Sequence, residues 1–486
     1  MRYWNTLLRL AILLSLAEFH AAANAQGTGD SPYSAYGFGD LFGTGSAAQA
    51  LMGSTGVAYT EPFDVISSNP ATYPSLVRPS FNTGVKGSFT NLSTSDQSTR
   101  RNDAGFGGFS VGVPFGKKPW GMALGLTPYS EVNYTITDRR TLDTGPLRYE
   151  YSGTGGISRA FFGLGRALVL HKPDTLGNAG SRLSIGANFD FLFGSLEQTR
   201  KAIYPAGQGY NNTTAFSSVV LRAPTADFGL LFSSQLISRD QVKKMQDRRK
   251  AKQKAALEAW KVTHPDSKEL PRQHEFRDPE GWRYHIGVTG DIPTVFNATH
   301  TDLETSWVYT FSGAEFTRDT IQHAEDVHGT ITVPYSIGAG ISAQNSRWMF
   351  TAEARRRDWG AMMIDVPGYG LPAPLRASMV FSAGARLRPR YDGTLLQRTI
   401  YRAGVRMSDE YLQVHGIGLS SLSGSLGLSL PLNAIQTNSY IHLGVEVGQR
   451  GTTDSGLIKE SFVNLWVGIS ITPWHGERWF HPFQIQ

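Results

Sequence analysis

The sequence contains no cysteine. Disulfides, thiol catalysis and cysteine metal sites are thereby excluded, and an exported chain of this kind must hold itself by hydrogen bonds and packing. Charge is sparse: 18% of residues are Asp, Glu, Lys or Arg, with a surplus of +6 over 486 residues. That surplus suits contact with anionic lipid head groups and does not describe a nucleic-acid binder. Long apolar runs are missing. Past the leader no stretch reaches the ~18 apolar residues of a membrane helix, and mean hydropathy is −0.25. No H-E-x-x-H, G-x-S-x-G or phosphate loop occurs, and His264, His274 and His285 lack ligand spacing. Ser439 and His442, three apart on one strand, point to opposite faces and cannot form a hydrolase pair. No enzyme activity, metal or cofactor is expected.

Glycine and aromatics are abundant, at 53 glycines and 11% aromatic residues. Together with low charge they fit an all-β chain closed into a transmembrane barrel. The N-terminus has Arg2 and Arg9, an apolar run from Leu10 to Leu16, and Ala23-Asn24-Ala25 as a cleavage site. Residues 1–25 therefore read as a cleaved signal peptide, and Gln26 in place of a cysteine argues against a lipid anchor there. The expected destination is the cell outer membrane.

From Ser80 onward, runs with a two-residue period alternate with turn clusters. Leu183, Ile185, Ala187, Phe189, Phe191 and Phe193 share one face, and Arg182, Ser184, Gly186, Asn188 and Asp190 the other. Ile441–Arg450 and Val463–Ile471 repeat the pattern. A soluble sandwich also alternates, but these apolar faces outrun the usual sandwich strand, and the opposite faces carry glycine with isolated charges. About fourteen such runs begin between Ser80 and Ser461, an even number as bacterial barrels require. Short turns at 116–119, 344–346 and 431–436 alternate with long outside loops at Thr135–Gly156, Thr199–Phe216 and Asn297–Gly329. Trp348, Trp359, Trp466, Trp474 and Trp479 read as interface girdles. One turn is interrupted by residues 239–283, whose Lys, Arg, Ala and Gln predict a basic periplasmic helix, either a solvated excursion or a docking arm.

Before the strands, Ala50–Leu76 has no helical stripe and no alternation. Its glycines and Asn69-Pro70 suit a chain folded into a confined space, so residues 26–79 read as a plug inside the barrel; the alternative is a loose linker.

This plug resembles the N-terminal hatch of the FadL/TodX-type outer-membrane transporters of long-chain fatty acids and other hydrophobic compounds. Met52-Gly53, Gly56-Val57-Ala58 and Asn69-Pro70-Ala71 carry the resemblance, with Tyr151–Gly156 and Leu183–Leu196. The opening SPYSAYGFGD and Gly448–Glu460 are similar to a Bacteroidota-type branch. The resemblance implies fourteen strands, a hatch in the periplasmic mouth and lateral escape of ligand through a kinked wall strand. It also leaves open a role as a partner in protein secretion or outer-membrane assembly, because fold alone does not fix cargo.

Transport through a plugged barrel needs an apolar pocket, a polar head-group contact and a movable barrier. The alternation places Asp190, Glu353, Arg355, His442 and Glu446 in the lumen, with Arg357, Arg386, Arg402 and Arg406. Most such charges pair with one another or with the hatch; Arg402 and Arg406 are the candidates for a ligand carboxylate. The hatch motif is Gly53, Gly56, Asn69, Pro70 and Ala71. Expected partners are outer-membrane lipid, a hydrophobic small molecule, and a periplasmic or outer-membrane protein met by the arm.

Overall fold

The computed structural model describes residues 31–472, apart from short stretches of which 172–179 and 263–281 are the longest, and with only part of 236–262. The wall strands in chain order are β2 (Ser80–Ser93), β3 (Ser98–Phe115), β4 (Trp120–Leu142), β5 (Gly145–His171), β6 (Ser181–Ile203), β7 (Asn212–Gln235), β8 (Arg283–Asp291), β9 (Thr294–Tyr309), β10 (Glu315–Val333), β11 (Ser336–Gln344), β12 (Trp348–Asp358), β14 (Ala377–Leu387), β15 (Ile400–Val414), β16 (Ile417–Pro431), β17 (Tyr440–Arg450) and β18 (Lys459–Ile471). Two short strands lie within this ring, β1 (Asp40–Leu41) in the hatch and β13 (Met363–Asp365) in an outer loop. All pairings are antiparallel, and β18 closes on β2. β8 and β9 pair with successive parts of β7, while β10 pairs with β9 and β11 with β8. Each of these couples is therefore one wall strand with a break, at Ile292-Pro293 and at Pro334-Tyr335, where proline cannot donate to a ladder. Counted this way, the wall has fourteen strands.

The alternation falls as the sequence predicts. Phe189, Phe191, Val463, Leu465 and Val467 point outward and are exposed, the band a barrel turns to lipid. Asn188, Asp190, His442 and Asn464 point inward and are buried. An even strand count puts both barrel ends on one side with the 116–119 and 345–347 turns and the arm, the periplasmic side by the short-turn rule. The arm's described residues, among them Lys244, Asp247, Lys254, Leu257 and Trp260, are helical; the rest of 239–283 lies outside the described residues. So do residues 1–25, expected as a signal peptide, and Trp474 and Trp479.

Two expectations need correction. The long outer loops are strands: Thr135–Gly156 lies in β4 and β5, Thr199–Phe216 in β6 and β7, and Asn297–Gly329 in β9 and β10. Their polar residues mark where strands leave the bilayer, and the ladders continue into water because backbone pairing needs no apolar face. The girdle reading holds for Trp348, which is exposed beside Phe350. It fails for Trp359 and Trp466, which are buried in the lumen. Trp466 falls on the inward phase of β18, and Trp359 lies on an outer loop that folds inward.

Candidate functional site: the lumen and its hatch

The hatch runs from Ser31 to Val77 inside the barrel, and most of its side chains are buried. Its local chemistry explains its sequence. Ser46 accepts from Gln49 N–H and caps a single helical turn, Ala47–Ala50. Gly53 has φ +68, the left-handed region, and a Cβ there would meet the Val405 carbonyl oxygen at 2.6 Å. Asn69 accepts from Ala71 N–H at 2.9 Å and donates to the Val57 carbonyl, while Pro70 begins a short 3-10 turn. Asn69-Pro70-Ala71 is thus a cap, a rigid start and a small residue in one tripeptide.

The hatch rests on the wall backbone to backbone. A Cβ on Gly165 or Gly186 would meet the Pro70 carbonyl oxygen at 2.5 Å, and one on Gly384 the Met52 carbonyl oxygen at 2.6 Å. These inward wall glycines leave no room for a side chain between hatch and strand.

The inner half of the lumen is held by charge. Glu61 pairs with Arg386, lies 3.4 Å from Arg388 and accepts from the Tyr59 hydroxyl at 2.9 Å. Burial alone would raise the Glu61 carboxyl, but Arg386, Arg402 and Arg388 with the Tyr59 hydroxyl carry it down to about 2. Asp64 has no such guanidinium contact, and its oxygens find no hydrogen-bond partner among the described residues. Burial pushes it up to about 7. Glu353 accepts from the N–H groups of Gly56 at 2.6 Å and Val57 at 2.7 Å, so a wall carboxylate grips the hatch turn. Arg159 bridges Asp190 at 3.0 Å and Asp227 at 2.8 Å, and Asn188 ties Asp227 to the Tyr73 hydroxyl.

The outer half is apolar. Phe38, buried between positive-φ Gly37 and Gly39, packs against Phe296 and Trp359 at centroid distances of 5.6 and 6.1 Å. Leu192, Leu221, Ile331, Tyr411 and Leu412 complete this core. At its rim Arg450 meets Asp40 and Glu410, each at 2.6 Å, and Tyr411 donates to the carbonyls of Tyr36 and Gly39.

All five expected lumen charges lie inside. Asp190 and Glu353 are in the networks above, and Arg355 leans on Glu353 at 3.3 Å. His442 shares hydrogen bonds with Ser429 and Ser470, and Glu446 accepts from Ser423, Asn464 and Trp466. The two candidate ligand arginines separate. Arg402 is committed to Tyr59, Ser429 and the Met52 sulfur. Arg406 lines two lumen cavities, of about 250 and 170 Å³. Sequence reasoning missed Glu61, Asp64, Arg159, Phe38 and Arg450. Two signals pointed to part of this: inward glycine in successive strands, and the i, i+2 pair Arg386 and Arg388.

The wall is unzipped between β3 and β4. β3 and β4 pair only from Phe109↔Leu126 to Phe115↔Trp120. Above that, β3 continues on β2 alone as far as Ser98, and β4 on β5 as far as Leu142. The break begins at Gly108, φ +94. Hatch strand β1 fills only the foot of the seam, pairing Asp40 with Glu131 and Leu41 with Ser130. The smaller cavity lies behind it, lined by Lys86, Asp103, Glu131 and Arg406 among others.

The geometry is that of a fourteen-stranded antiparallel β-barrel closed around its own N-terminal segment. The BamG family model matches residues 7–263 and 280–486, and the chain belongs to that family. No curated protein matches the sequence. Among solved structures, the TodX deltaS2S3 mutant monoaromatic hydrocarbon channel superposes with a TM-score of 0.51 at 15% identity, covering 88% of this chain and 99% of that one. The Ralstonia pickettii toluene transporter TbuX gives 0.47 at 16% identity, covering 88% and 98%. A Pseudomonas aeruginosa FadL homologue gives 0.48 at 10%, covering 89% and 98%.

Proposed function

We propose that the protein is an outer-membrane conduit for small hydrophobic molecules, long-chain fatty acids among them, with the hatch of residues 26–79 as its barrier. The observation that carries this reading is the β3–β4 seam, where two neighbouring wall strands stop pairing above Phe109↔Leu126. A cavity behind such a break gives a sideways route from lumen to lipid. The two cavities fall below the ~300–1,000 Å³ of typical small-molecule sites, so the hatch must shift before cargo enters. Arg406 lines the cavities without an ion pair among the described residues and is the arginine assigned to an anionic head group, whereas Arg402 serves the hatch. The test is uptake of a labelled long-chain fatty acid and of toluene by cells with and without the gene. Equal uptake of both would sink the reading.

A second reading is favoured by how firmly the hatch is tied and by the BamG assignment of nearly the whole chain. In it the barrel stays shut and serves as a partner in secretion or outer-membrane assembly, contacting other proteins through the basic arm and the outer hairpins. Deleting 239–283 separates the two. Loss of a co-purifying protein with uptake intact supports the second; unchanged partners and unchanged uptake leave the arm without a role in either.

A further inference from the structure

Beyond the barrel proper, the outer ends of β4, β5, β6, β7, β9 and β10 stand as an upright sheet. β4 and β10 are its two margins, and β10 is the one that carries a cluster of carboxylates. On one side it pairs with β9 from Glu315 to Val333; on the other, among the described residues, it meets only β13, at Thr330↔Asp365, Ile331↔Ile364 and Thr332↔Met363. Every residue from Glu315 to His323 is exposed, whichever face it points to. Exposed apolar side chains accompany the bare backbone: Phe316 at 59%, Ile321 at 58%, and Phe311 in the adjoining turn.

The charge here runs against that of the chain. Between His300 and His328 lie Asp302, Glu304, Glu315, Asp319, Glu325 and Asp326 against the single arginine Arg318, in a protein with a net charge of +6. Lys201 reaches Glu315 at 2.8 Å and is the one outside cation paired with these carboxylates among the described contacts. Three register breaks twist the strand, at Thr317/Asp319, Thr320/Gln322 and Ala324/Val327.

We infer that the β10 edge is a docking site for an extended, lysine- or arginine-bearing segment of another protein outside the cell, added antiparallel as the next strand above β13. Unpaired strand edges recruit strands through main-chain hydrogen bonds, and alternate side chains select the partner. β13 already demonstrates the pairing on the lower three residues of the same edge. A second copy is excluded as occupant, because edge-to-edge pairing would set carboxylates against carboxylates. An anionic lipid surface is excluded for the same reason. A basic strand meets the charge, and Phe316 and Ile321 give it apolar contact.

The test uses the purified full-length mature protein in detergent and three fluorescent eleven-residue probes. One alternates lysine with valine and threonine, one carries glutamate for lysine, and one is the lysine probe N-methylated along its backbone. Expected is anisotropy-detected binding of the lysine probe alone, weakened at least tenfold in a D319K/E325K variant whose barrel still shows heat-modifiable gel migration. Absence of binding, equal binding of the N-methylated probe, or indifference to D319K/E325K would each overturn the assignment.

Discussion

The two halves of the lumen are filled by one hatch and held by opposite physics. The inner half, around Glu61, Glu353 and Arg159, is a set of buried charges whose partners come from different elements. The outer half, around Phe38, is a close-packed apolar core with charges only at its rim. Apolar packing is tolerant: a lost contact leaves a cavity and little else. A buried charge network is not, because removing one member strands the others without water. The inner half is therefore the lock of the hatch, and the outer half its filling.

The largest expected effect follows from that contrast. Glu61→Gln leaves Arg386 buried without its carboxylate. The expected loss is about 3–5 kcal/mol from the inner hatch, read as faster amide exchange over 51–66 with β5 and β6 unchanged. Unchanged exchange there would erase the distinction between the halves. Phe38→Ala is next, at about 3 kcal/mol for an emptied ring site. Its loosening should stay within 31–43, and spread into the inner hatch would show that the halves act as one.

A pH profile sharpens the lock further. The Asp64 carboxyl sits above its ordinary 3.8, at about 7. Its contribution is therefore complete below about pH 4 and disappears as pH rises through about 7. Glu61, lowered from 4.5 to about 2, contributes fully above about 4.5 and fails only as pH falls toward 2. Between pH 5 and 8 Glu61 is constant while Asp64 weakens the hatch. Inner-hatch exchange should quicken over that window by on the order of 1–2 kcal/mol, and Asp64→Asn should flatten the rise. An identical profile in the variant would remove Asp64 from the lock.

The legible part of this molecule was the part with a period. Alternation over Leu183–Phe193 and Val463–Ile471 placed lipid on one face and lumen on the other, and parity of the turns placed the arm. The networks were not legible, because Glu61 and Arg386 are brought together by barrel closure across 325 residues and no local pattern records it. The outer hairpins misled for a related reason. Polar β-strands in water, such as Glu315–Val333, lack the apolar face that gives a strand its signature. The Asn69-Pro70-Ala71 turn was readable because its constraint is local, a cap followed by a fixed φ. The inward glycines were visible as composition and acquired a reason only once the hatch backbone lay against them.

The smallest test separates charge from geometry inside the lock. Tyr73 enters from the turn that Asn69 caps, and its hydroxyl donates to Asn188 at 2.9 Å, while Asn188 donates to Asp227 and to the Ser67 carbonyl. Tyr73→Phe removes one neutral hydrogen bond and no volume. Asn188 keeps both donated bonds, so the Arg159 cluster stays neutralised. The expected cost is about 1 kcal/mol, a slight rise in exchange confined to 69–76. A loss as large as that of Glu61→Gln would mean that the hatch is locked by the turn seated on the wall glycines, and that the ion pairs merely follow.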